Sequence, residues 1–176
     1  MRLVSLGTAV LLAVAASNAS AQESSRDDFR TFCQAVEGRF VGKVTWVADW
    51  PGLGKKGDKV TAYFEGKMAE DGHALTGRWY AGDGSATGLY YYDAAEKRIK
   101  VVWVNSGGGV GQSIISRKGN QWCIEGSGCL ADGSKTTSTS TLTITDDGNT
   151  HTYTGTGTVG GEKTEDQLDV YRRVSK

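Results

Sequence analysis

Proline is nearly absent from this chain: Pro51 stands alone against 25 glycines. That balance excludes a proline-stiffened linker or a low-complexity tail and suits many tight turns and bent strands. Histidine is almost as scarce, with only His73 and His151, and the cysteines are Cys33, Cys123 and Cys129. No His-x-x-x-His or paired Cys-x-x-Cys spacing occurs, so neither a structural nor a catalytic zinc site is indicated. No serine sits in a Gly-x-Ser-x-Gly elbow, and the run Gly107-Gly108-Gly109 lacks the lysine and hydroxyl residue of a phosphate loop. Charge excess is missing too: 20 basic residues balance 20 acidic ones, leaving no basic field for nucleic acid. The one long apolar run, Leu3 to Ala16, is too short to span a bilayer as a helix.

That run has a different reading. Arg2 supplies a positive start, and Ala19-Ser20-Ala21 is a small-x-small cleavage pattern, so residues 1–21 read as a signal peptide. The expected location is therefore periplasmic or extracellular. The next segment, 22–38, holds the one expected helix, Ser24 to Val36. Ser25 can cap it, Asp27 and Asp28 suit its positive end, and Gly38 follows it. Phe29, Phe32, Cys33 and Val36 fall on one face, which predicts docking rather than an isolated helix.

The remainder, 39–176, reads as strands. Asp58 to Tyr92 is the clearest stretch. With Glu70 to His73 as a four-residue turn, Met68 meets Leu75, Gly66 meets Gly77 and Phe64 meets Trp79 on one face. On the other face Lys67 meets Thr76, Tyr63 meets Tyr80, and Glu65 meets Arg78 as an outward ion pair. One register satisfies both faces. Gly82 to Gly84 suits a three-residue hairpin, which would place Trp79 opposite Thr87 and Gly77 opposite Leu89. Further strands are expected over Arg39–Trp50, Arg98–Asn105, Val110–Arg117, Gln121–Leu130, Lys135–Thr145, Thr150–Val159 and Thr164–Val174. About ten strands with short connections predict an all-β, up-and-down antiparallel barrel, its short N-terminal helix closing one end. Turns at Glu70, Asp93, Lys118 and Asp146 then share the helix-bearing end. Glycine-rich loops, with Trp50 and Leu53 as an apolar lip, mark the other.

GRFVGKVTW after a short helix, the DGHALTGRWY hairpin and GLYYYDAAEKRIKVVWV together resemble uncharacterised bacterial calycin-like (lipocalin-like) barrel proteins, over Phe29 to Val174. The resemblance implies a barrel holding a small, often apolar ligand. DGHALTGRWY also looks locally like an avidin-type strand and turn, but no biotin-binding residue carries over.

The proposed inward face is rich in aromatics, and the candidate ligand residues are Trp46, Trp50, Phe64, Trp79, Tyr91, Trp103, Trp122 and Tyr153, with Leu89 and Ile114 on the same face. Interleaved glycines such as Gly66, Gly77, Gly126 and Gly155 either relieve crowding where strands coil or leave room for a ligand; Ser138 and Ser140 edge the space. His151, expected inward beside Ile144, is the one weak metal or haem candidate. Export favours a disulfide. Cys123 and Cys129 on one straight strand would lie roughly 20 Å apart. Cys33 with Cys123 is therefore the preferred pair, and a local bend joining Cys123 to Cys129 the rival. The leading expectation is an exported barrel binding a small apolar or aromatic molecule, with no cofactor, no nucleic acid and no membrane insertion. The alternatives are a calycin-scaffold enzyme, isomerase-like or haem-dependent, and an outer-membrane barrel.

Overall fold

The computed structural model describes residues 22–176, so the expected signal peptide lies outside the described residues. Helix α1 (Arg26–Val36) starts at a capping box: Ser25 Oγ accepts from the Asp28 N–H, and the Asp28 carboxylate accepts from the Ser25 N–H. Its apolar face, Phe29, Phe32, Cys33 and Val36, is fully buried. Phe29 and Phe32 each contribute about 2 kcal/mol of transfer free energy. The segment is tied down ahead of the cap, where Ser24 donates from its N–H to Lys97 O and from Oγ to Ile115 O. At the other end no basic residue of the helix itself faces its last turn. Arg173 supplies that charge from the last strand, donating to the carbonyls of Ala35 and Glu37 and to Gly148 O while lying over the Phe40 ring.

The strands are β1 (Gly38–Thr45), β2 (Lys59–Ala69), β3 (Ala74–Ala81), β4 (Gly84–Asp93), β5 (Arg98–Asn105), β6 (Val110–Lys118), β7 (Gln121–Cys129), β8 (Lys135–Thr145), β9 (Thr150–Val159), β10 (Glu162–Lys163) and β11 (Gln167–Ser175). Sequence neighbours pair antiparallel from β1 through β9, and β11 closes the ring between β9 and β1. The two-residue β10 is only a tail folded back on β9, so the closed barrel has ten strands, as the turn spacing predicts. Closure leaves no long unpaired edge. The helix plugs the end bearing the Glu70, Asp93, Lys118 and Asp146 turns.

Between β2 and β3 the predicted register holds at every pair, from Ala69–Ala74 to Tyr63–Tyr80. Glu65, however, forms its ion pair with Arg39 on β1, at 2.7 Å, not with its cross-strand neighbour Arg78. The four-residue turns at Glu70–His73 and Asp146–Asn149 share one backbone path, with left-handed φ near 50° at Glu70, Asp71, Asp146 and Asp147. The first strand is shorter than expected: pairing with β2 ends at Thr45, and Trp50 makes only an isolated bridge to Gly54.

The β3–β4 turn corrects the sequence reading. Ala81 pairs with Gly84, so the loop is the two residues Gly82-Asp83, with glycine at the left-handed first position that such a turn requires. Losing one loop residue shifts β4 by one and exchanges its faces. Trp79 faces Ala86 and Gly77 faces Gly88. Tyr90 takes the inward place assigned to Tyr91, while Leu89 is 42% exposed. On β6 the inward residue is Ile115, paired with Ile99, and Ile114 faces out.

The outer surface of β8 and β9 is a double column of threonines, five cross-strand pairs from Thr137–Thr158 to Thr145–Thr150. The first pair shares a hydroxyl hydrogen bond of 2.8 Å. β-Branched stems with polar tips suit a sheet that faces water.

Candidate functional site

Two chambers occupy the barrel interior. The deeper one, about 320 Å³, lies beneath α1 and is bounded by Phe32, Phe40, Phe64, Tyr90, Ile115, His151 and Tyr153. The outer one, about 270 Å³, reaches the opposite end, among Trp46, Trp50, Gly126, Ser138, Gly157 and Thr164. Trp79, Trp103, Ser113, Gln167 and Asp169 border both, and so form the waist between them.

The aromatic walls are built by glycines opposite rings. A Cβ on Gly88 would lie 2.8 Å from the Trp103 ring, and one on Gly77 would lie 2.9 Å from Tyr90 and 3.2 Å from Trp103. These rings therefore lie against bare backbone, and Tyr90 and Trp103 meet edge to face at 5.5 Å. Relief of crowding and room for rings are thus one device. Gly66 serves another purpose, since a Cβ there would strike Val36 O at the end of α1. Trp46 meets Trp79 edge to face at 5.7 Å and is roofed by Gly54. The loop carrying Gly54 continues over the mouth, Leu53 packing on Gly84 and Pro51 on Gly107.

Of the candidate ligand residues, Phe64, Trp79, Trp103 and Tyr153 border the deep chamber, and Trp46 and Trp50 the outer one. Two fall elsewhere. Tyr91 shares the outward face of β4 because of the shortened turn. Trp122 is buried under the helix, edge to face with Phe32 at 5.2 Å, and borders neither chamber.

The preferred disulfide is absent: Cys33, Cys123 and Cys129 are free thiols. Cys33 lies inside with the helix, whereas Cys123 alternates with the inward Trp122 and so faces the outside of β7. Burial pushes the Cys33 thiol up to about 12, which keeps it protonated and unreactive.

His151 does point inward, opposite Ile144, and is 2% exposed. Its ring stacks on Phe40 at 4.2 Å, and its Nε2 has no hydrogen-bond partner. Burial, helped by the nearby Arg173 charge, brings its pKa down to about 4, so the imidazole is neutral at pH 7. Among the described residues no three His, Cys, Asp or Glu side chains gather as a metal site.

Sequence reasoning missed the polar seam on β11. There the apolar Leu168 and Val174 are 64% and 62% exposed, while Gln167, Asp169, Tyr171 and Arg173 face inward. Asp169 is 4% exposed; Gln167 Nε2 donates to its Oδ2, and its Oδ1 has no partner. Burial pushes this carboxyl up, against the opposing pull of Gln167 and the Thr45 backbone. Trp79 Nε1 donates to the Tyr171 hydroxyl at 2.7 Å, and Tyr171 meets Tyr153 edge to face at 5.9 Å. The interior is therefore an aromatic cage with one polar seam, in which Asp169 is the single acid. The chain matches no protein-family model and no curated protein.

Proposed function

We propose that this is an exported carrier or scavenger that binds one compact aromatic or apolar molecule inside its barrel. The observation that carries the reading is the pair of chambers joined at a waist bounded by Trp79 and Trp103. Their sizes lie near the lower end for small-molecule sites, and mostly apolar walls with a few convergent polar groups are the usual chemistry of such sites. The resemblance to calycin-like barrels agrees with it. The leader-like residues 1–21 support export. Polar exterior features, such as the threonine columns and the Arg39–Glu65 pair, support a surface facing water rather than lipid.

On this reading the ligand enters at the loop-bearing end, past Trp50, which borders the outer chamber. Native mass spectrometry of protein purified from its own host should show a co-purifying small molecule. Tryptophan fluorescence of wild type and Trp50→Ala, titrated with small aromatic compounds, then tests the route. The expected result is saturable binding, with faster exchange when Trp50 is removed. No bound molecule and no saturable binding from any compound would overturn the proposal.

A further inference from the structure

We infer that Asp169 is the specificity-determining residue of this cavity, and that the ligand carries an ammonium or similar cationic group on its aromatic or apolar body. The inference rests on the proposed ligand-binding role and narrows its substrate class.

Asp169 borders both chambers, so it stands where one molecule occupying the waist would pass it. It lies deep in the barrel, yet Gln167 satisfies only Oδ2 and leaves Oδ1 unpaired. A buried carboxylate with one oxygen unmet and no counter-charge is costly, and a hydrophobic residue of similar size would pack there at no such cost. No lysine or arginine borders either chamber, and the histidine that borders the deeper one, His151, is held neutral by burial. A cationic group on the occupant would supply the missing counter-charge and hold Asp169 ionised against the burial that pushes its pKa up. Trp79 and Trp103 border the same waist, and indole faces attract cations as well as aromatic bodies. A carboxylate beside two indoles is chemistry for an arylalkylamine and is unfavourable for an aromatic acid, whose charge would face Asp169 directly.

The test uses three probes of nearly equal size: 2-phenylethylammonium, 2-phenylethanol and phenylacetate, titrated calorimetrically into the full mature protein at pH 7. Wild type should prefer the ammonium over the alcohol by about tenfold or more, because a charge-assisted pair replaces an unmet acceptor. Phenylacetate should bind weakest. Asp169→Asn should bring the ammonium and the alcohol to similar affinity while leaving alcohol binding near its wild-type value. If the alcohol binds but the ammonium shows no advantage, or if Asp169→Asn keeps the advantage, the role of Asp169 is refuted and the cavity reading stands. If none of the three binds, the inference is overturned, and the cavity reading is decided separately by the co-purification and compound-panel measurements. Should the variant not fold, the wild-type order decides: phenylacetate binding as tightly as the ammonium overturns the inference.

Discussion

Lowering the pH from 7 to 4.5 should destabilise the protein through His151. Its imidazole is 2% exposed, stacked on Phe40 and close to Arg173. The folded pKa of about 4 lies below the ordinary 6.5 of the unfolded chain. Above about 6.5 both states are neutral and the full stability is present. Between those values only the unfolded chain takes up the proton, so stability falls as pH falls, at about 1.4 kcal/mol per pH unit. Integrated from pH 7 to 4.5, the loss is about 2 kcal/mol. Asp169 works in the opposite direction, because a raised carboxyl pKa favours the folded state as pH falls. Asp28, with its pKa lowered by the Ser25 hydrogen bonds, loses its contribution chiefly below the ordinary carboxylate value of 3.8, outside this window. The assay is urea denaturation at pH 7.0, 6.0, 5.0 and 4.5 for wild type and His151→Phe, which keeps a ring on Phe40. Wild type should lose about 2 kcal/mol relative to His151→Phe between pH 7 and pH 4.5. A pH dependence identical in both would refute the assignment of a buried neutral imidazole.

Three further outcomes are expected. Arg173→Met should cost about 1–3 kcal/mol in chemical denaturation by leaving helix carbonyls without their donor, and it should raise the His151 pKa by NMR titration, since the Arg173 charge helps depress it; an unchanged His151 titration would contradict this. Gly88→Ala should displace the Trp103 ring into the waist, costing about 1–3 kcal/mol and weakening aromatic-probe binding, whereas wild-type Trp fluorescence and affinity would contradict the close contact. Asp71→Gly should raise stability by up to about 1 kcal/mol by relieving a left-handed residue, read as a higher urea midpoint; a lower midpoint would show that the Asp71 side chain contributes more than its backbone costs.

Much of the barrel was legible because pairing is a local, period-two problem. The β2–β3 register follows from matching two faces across one turn, and it survives closure unchanged. The inward Ser138 and Ser140 opposite Gly157 and Gly155 follow from the same alternation. The site was less legible. Gly82-Asp83-Gly84 accommodates a two-residue or a three-residue loop equally well by composition, and that single residue decides whether Tyr90 or Tyr91 faces the cavity. In β11 the apolar set Leu168, Val170 and Val174 lies outside, so reading hydrophobicity alone inverts the strand and hides Asp169.

The sequence by itself determined one capped amphipathic helix, about ten short strands and an aromatic interior, because capping, alternation and turn chemistry act over a few neighbouring residues. Only the tertiary structure decided that Arg173 completes a helix end from the far terminus of the chain. It also decided that Cys33 lies inside the barrel while Cys123 faces outward from β7, and that Asp169 keeps one oxygen unpaired at the waist that Trp79 and Trp103 also border. Those facts depend on closing β11 against β1 and β9. Closure sets, for a whole strand at once, which face meets the core. A short-range pattern cannot carry that choice when the inward face holds the polar residues.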